Sequence, residues 1–255
     1  LIAPSKYFIY KNFLSLDSVT KAEQFKKDII ANHRNSKYAE ILLDPTAISK
    51  EKQNSNEIYE RLYIDFNDQK YIQVIDECNK YILDFNGEPI VPKLEFLKAL
   101  AIARVYGFKE YEKALTFIKL NYSTTVEGKE AELILDEVLP SVENNNFKNN
   151  NMSDNYKIIY QFAVGSDNEI LSQINDIKQY IENVDYLDLR VSEDFYNNIT
   201  TFVVVHGLKS YDGSLGLAER LEKTIDIQAD SFFVASSDNY KTIQIHKNLD
   251  KFEKK

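Results

Sequence analysis

After Pro140 the chain reads Ser141, Val142, Glu143, Asn144, Asn145, Asn146, Phe147, Lys148 and then three further asparagines. Asparagine competes locally for backbone hydrogen bonds and has poor propensity for both helix and strand, so no regular element runs through this stretch. It divides two different texts. Before it, apolar residues recur at helical spacing; after it, strand-like and helix-like segments alternate. The division predicts a helical domain over residues 1–140, a linker over 141–153 and an α+β domain over 154–255.

Within the first part, Tyr71, Val74, Ile75, Cys78 and Ile82 draw one apolar stripe down a helix. Ile58, Leu62 and Phe66, flanked by Tyr59 and Tyr63, make a preceding helix, and only the turn Asn67, Asp68, Gln69 separates the two. A short loop of this kind forces an antiparallel pair. The unit recurs: Leu94, Leu97, Ala101 and Val105 form one helix, Gly107 breaks it, and Tyr111, Ala114, Leu115 and Ile118 form the next. Tyr71 aligns with Tyr111 at an offset of roughly 40 residues, longer than a tetratricopeptide repeat but of similar character. A weaker echo runs through Ala22, Phe25, Ile29 and Ile30, then Tyr38, Ala39, Ile41 and Leu42, and a helix through Ala131, Ile134, Leu135 and Val138 closes the stack. The expectation is a tetratricopeptide-like helical repeat array, an architecture that binds other proteins along a groove.

The second part opens with the strand-like run Tyr156 to Val164, then an amphipathic helix carrying Ile170, Ile174, Ile177 and Ile181. Leu187 to Val191 and Thr200 to His206 read as two strands joined around Tyr196, Asn197 and Asn198. A helix from Ser214 to about Ile225 follows, with Asp212 or Ser214 as its cap. Ser231 to Ser236 is the last strand, and the charged tail from about Asn239 finishes as a helix. The order is that of a ferredoxin-like (βαββαβ) domain with both helices on one face of an antiparallel sheet.

Charge and composition narrow the function classes. A net charge of -9 and a pI near 5.0 oppose a phosphate backbone, so nucleic acid is not an expected partner. The strand "TTFVVVHGL" also lacks the basic residue and alternating aromatics of an RNA-binding sheet, and Tyr156, Tyr160, Phe162 and Phe202 are expected as core or protein-contact rings. A single cysteine, Cys78, excludes an internal disulfide. The three histidines, His33, His206 and His246, fall in three different elements without clustered cysteines or carboxylates, so no metal is expected. His33 ends a helix, His206 ends a strand beside Gly207, and His246 belongs to an exposed terminal stretch. Gly213 and Gly216 fit no phosphate fingerprint. No serine has a histidine placed to activate it, and neither catalytic residues nor a cofactor are expected. The chain begins at Leu1 without a charged and apolar leader, so it reads as a piece of a longer protein.

The segments "SKYAEILLDP", "LEFLKALAIARVYGFKEYEKALTFIKLNY" and "FFVASSDNYKTIQIHKNLDKFEKK" resemble the C-terminal part of the SprE/PorW family of periplasmic lipoproteins, which serve the type IX secretion and gliding-motility machinery of Bacteroidota. The resemblance is distributed over essentially the whole chain. It implies a non-enzymatic scaffold in the periplasm, attached to the outer membrane only through a lipid anchor outside this chain. Its implied partners are other type IX secretion proteins, namely the outer-membrane translocon and periplasmic ring components. The stretch that carries the resemblance at the end of the chain makes Asn239, Tyr240, Lys241, Gln244 and Lys247 the expected protein-interaction residues. An alternative of another class is peptidoglycan binding by an open sheet face, as in SPOR glycan-binding modules.

Overall fold

The computed structural model describes residues 2–44, 47–144, 146–149, 153–184 and 188–253. The chain is mostly helical, with a four-stranded antiparallel sheet in its C-terminal part. Among the described residues no helix is long and apolar enough to cross a membrane.

The helical half runs through α1 (Ala3–Ser15), α2 (Val19–Asn32), α3 (Lys37–Leu43), α4 (Ala47–Asn67), α5 (Tyr71–Asp84), α6 (Val91–Tyr106), α7 (Phe108–Asn121) and α8 (Val126–Leu133). The anticipated stripe of α5 packs as its spacing requires: Tyr71, Val74 and Cys78 are buried with Leu62 of α4 and with Leu94, Leu97, Ala101 and Val105 of α6. Full burial of a side chain such as Leu62 contributes about 2 kcal/mol. Ala99, Leu115, Ile118 and Ala131 form the next cluster along the stack. Side-chain oxygens set the starts of α3 and α8, where Ser36 accepts from the Ala39 amide and Thr125 from that of Gly128. The closing helix departs from expectation: Ile134–Val138 is a π-helical turn, followed by the short α9 (Leu139–Val142). Pro140 offers no N–H to the carbonyl four residues back, and the Leu139 amide reaches Ile134 instead, five back.

The sheet half comprises β1 (Tyr156–Ala163), α10 (Asp167–Asn183), β2 (Arg190–Phe195), β3 (Thr200–Leu208), α11 (Tyr211–Thr224), β4 (Ser231–Ser236), α12 (Ser237–His246) and α13 (Leu249–Glu253). The strand order is β2-β3-β1-β4. Ile158, Tyr160 and Phe162 of β1 face the isoleucines of α10 and Leu217 and Leu221 of α11. The opposite face does not lie open: Ile159, Phe202, Val204 and Ala235 are buried with Tyr240 and Ile243 of α12 and with Leu249. Burial on both faces explains why β1 and β3 read as near-continuous apolar runs.

Two boundaries differ from the sequence reading. The second strand begins at Arg190, with Leu187 outside the described residues; its polar segment Ser192, Glu193, Asp194 belongs to the strand because β2 is an edge. The cap of α11 is Ser210, whose hydroxyl accepts from the Gly213 amide at 3.1 Å, whereas Ser214 lies buried inside the helix and donates back to the Ser210 carbonyl. The described part of the asparagine-rich stretch is not a loose tether. Asn239 and Lys148 exchange two hydrogen bonds, of 2.8 and 3.0 Å, and the Phe147 ring meets that of Phe252 edge-on.

Candidate functional site at the seam between the halves

The helical half and the sheet half meet along α6, α7, β2 and α12. Gln69, in the turn between α4 and α5, holds the edge of β2 with its side-chain amide: its nitrogen donates to the Glu193 carbonyl at 3.2 Å and its oxygen accepts from the Phe195 amide at 3.0 Å. The Phe195 ring then packs edge-on against Tyr71, with centroids 5.2 Å apart. Gly107, at φ +81°, makes the elbow between α6 and α7 tight enough to receive the end of α12. A Cβ there would sit 2.7 Å from the Ile245 carbonyl oxygen and 2.8 Å from Lys247 Cγ. His246 reaches the Val142 carbonyl at 2.9 Å and lies against the Phe108 ring.

On the sheet face beneath α12, the strand registers bring together residues far apart in sequence. Lys157 of β1 stands opposite His206 of β3, while Ser192 and Asp194 of β2 stand opposite Val204 and Phe202. Alternation along each strand turns all four onto one face. Lys157 Nζ lies 2.9 Å from His206 Nδ1, His206 Nε2 lies 2.7 Å from Ser192 Oγ, and Ser192 donates to Asp194 Oδ1 at 2.8 Å. An ammonium can only donate, so Nδ1 accepts and Nε2 carries the proton toward Ser192. From the other side, Lys247 donates to Gln244 Oε1 at 3.0 Å, Gln244 Nε2 donates to the Tyr240 hydroxyl at 3.0 Å, and Tyr240 donates to Asp194 Oδ2 at 2.5 Å. Two donor rows, each beginning at a lysine, converge on one carboxylate.

Burial and charge act on this chain in consistent directions. Burial, followed by the positive charge of Lys157, pushes His206 below its usual range, which matches a neutral ring with one N–H. Burial lowers Lys157 as well. Tyr240 is pushed up by burial and by the Asp194 charge beside it, so its hydroxyl keeps its proton. Lys247 is pushed down to about 7, first by burial and then by the charge of Arg104. Its ammonium lies 4.9 Å from the centre of the Tyr196 ring, and its backbone is left-handed, at φ 51°.

Of the five expected interaction residues, only Lys241 is exposed. Asn239 is buried and clamps Lys148; Tyr240 is buried on Asp194; Gln244 and Lys247 line the cleft between the halves. Their polarity serves contacts within the chain. Two sequence expectations change, and both concern histidines. His206 lies inside β3 rather than at its end, and His246 is half-buried at the seam rather than on an exposed stretch.

Sequence reasoning placed no histidine beside a serine, yet Ser192 and His206 are in hydrogen-bond contact. The pair does not have the order of an activated nucleophile. In a triad the carboxylate orients the histidine, whereas here Asp194 accepts from the serine and a lysine occupies the histidine's other nitrogen. Asp194 lines the cleft, but Ser192 and His206 do not. Cys78 is fully buried and burial pushes its thiol up to about 12, far from a reactive thiolate. Among the described residues no group of three or more His, Cys, Asp or Glu side chains is placed to hold a metal ion.

The cleft itself has a volume of about 960 Å³, within the range of sites that enclose small ligands. Arg104, Tyr111, Phe66 and Phe108 come from the helical side, and Asp194, Phe195, Tyr240 and Lys247 from the sheet side. No protein-family model matches this chain, and no curated protein matches it.

Proposed function

We propose that the chain is a non-enzymatic adaptor of the type IX secretion and gliding-motility machinery, working in the periplasm and joining the outer-membrane translocon to periplasmic ring components. Its stacked pairs α4/α5 and α6/α7 support a tetratricopeptide-like array, and the order β2-β3-β1-β4 with helices after β1 and β3 supports a ferredoxin-like sheet domain. The observation that carries the adaptor reading is the hairpin of α7 and α8, which leaves Phe117, Leu120, Val126 and Leu133 exposed to solvent. Several large apolar groups on one supersecondary unit fit a protein-contact surface. Glycan binding would need a bare sheet face, and α12 covers that face, so the adaptor reading is preferred.

The test is affinity capture from a detergent-solubilised Bacteroidota envelope, with the chain and its Phe117→Asp, Leu120→Asp double variant as baits. Enrichment of translocon or ring proteins by the parent chain and their loss with the variant is the expected result. Equal recovery by both baits would move the contact surface elsewhere. Sedimentation of the chain with purified sacculi would instead replace the adaptor with a cell-wall module.

A further inference from the structure

The wall of the seam cleft carries two basic side chains and one carboxylate among its described residues. Asp194 is the one carboxylate among its described residues, and Tyr240 and Ser192 already occupy both of its oxygens. Arg104 and Lys247 line the same cleft. Among the described residues, Arg104, in the last turn of α6, makes no ion pair, and the Lys247 ammonium contacts a neutral amide and a tyrosine ring. A helix C-terminus accounts for an arginine at position 104. It favours Lys247 too, at the end of α12, yet neither cation has a carboxylate within ion-pair distance among the described residues.

The backbone adds an independent sign. Helix α12 ends on a left-handed residue, a position that glycine usually fills because a side chain there costs about 1 kcal/mol. Here a lysine fills it, and the conformation carries its side chain into the cleft wall. Strain kept at a cavity is a pointer to a role for the residue that bears it. Around the two cations the wall is apolar and aromatic, with Tyr71, Leu100, Tyr111, Val138 and Phe195.

We propose that this cleft binds a carboxylate carried on an apolar body, with Arg104 and Lys247 taking the carboxylate and the aromatic wall taking the body. Such a ligand gives both basic side chains an ion-pair partner and fills the apolar space beside them. A free organic acid and the C-terminus of a peptide present the same chemistry. The inference stands apart from the adaptor reading, since it concerns the seam and not the α7/α8 surface.

The chain contains no tryptophan, so an indole-bearing ligand reports its own binding by fluorescence. Three probes are titrated into the full chain: N-acetyl-Phe-Trp as the free acid, the same dipeptide as its C-terminal amide, and indole-3-butyrate. The acid should bind at least about tenfold more tightly than the amide, a difference of roughly 1.4 kcal/mol. Arg104→Met and Lys247→Met should each remove that preference and leave amide binding unchanged. Arg104 is exposed, so its variant tests the idea even where Lys247→Met does not fold. Indole-3-butyrate binding as tightly as the dipeptide acid assigns the site to free organic acids, and binding of the dipeptide acid alone assigns it to chain termini. Equal affinity for acid and amide, no binding of either acid at millimolar concentration, or an undiminished acid preference in Arg104→Met overturns the proposal.

Discussion

The Tyr240 hydroxyl donates to Asp194 Oδ2 at 2.5 Å, tying helix α12 to the edge strand β2 across 46 residues of sequence. Phenylalanine at position 240 keeps the ring packing on Phe202 and removes this bond together with the one the hydroxyl accepts from Gln244. A buried hydrogen bond to a charged group contributes about 2 kcal/mol, so Tyr240→Phe should lower the urea midpoint by the corresponding amount with its slope unchanged. A variant as stable as the parent would mean that Asp194 finds another donor.

At Gly107 the helical half lies close against the backbone at the end of α12. Alanine there meets both a positive φ and the Ile245 carbonyl oxygen, so Gly107→Ala should cost roughly 2–3 kcal/mol, more than the left-handed backbone alone accounts for. Alanine at Gly165, which also has positive φ but nothing within 4 Å of its built Cβ, is the matched control. Thermal melting of the two variants separates strain from collision, and equal losses would remove the collision from the account.

Lys247 gives stability a pH dependence of defined sign. Its pKa is about 7 in the folded chain, against about 10.4 for a free lysine, so between these values the unfolded state binds more protons. Parent stability therefore gains a contribution that rises with pH from about 7 to about 10 and is flat outside that window. Lys247→Met lacks it, and the stability difference should move in favour of the variant as pH falls from 10 to 7. Urea midpoints at pH 7, 8, 9 and 10 measure the difference, and parallel curves would show that the amine is not desolvated.

Asn239 holds the end of the asparagine-rich stretch through both of its amide atoms. Its replacement by alanine should cost about 2 kcal/mol, as two neutral hydrogen bonds are lost from a buried site. The freed segment should then be cut by trypsin after Lys148 several-fold faster than in the parent. Unchanged cleavage would mean that Phe147 and the Lys148–Asp238 ion pair suffice to hold it.

How far the sequence could be read depended on where each residue's partners lie. The stripe on α5 and the helices around Gly107 were legible because their partners are on the next helix, and β1 and β3 because both faces of the sheet are covered. β2 was displaced in the reading because an edge strand can carry Ser192, Glu193 and Asp194 without loss. The terminal helix was read as a solvated tail for a related reason. Its polar residues look free until Lys148, 91 residues earlier, and Asp194, 46 residues earlier, are brought against them. One signal for the buried network was present: Ser192, Asp194 and His206 sit at alternating positions of a hairpin around Asn197, so a correct register would have put them on one face.

The convergence on Asp194 determines what the buried hydrogen bonds can transmit. In a proton wire every link points the same way, so a proton entering at one end can leave at the other. Here the row from Lys157 and the row from Lys247 both point inward. A proton passed from either lysine stops at the same carboxylate, and none can cross from one side of the seam to the other without every hydroxyl and amide in one row turning round. The network is a sink with two inlets.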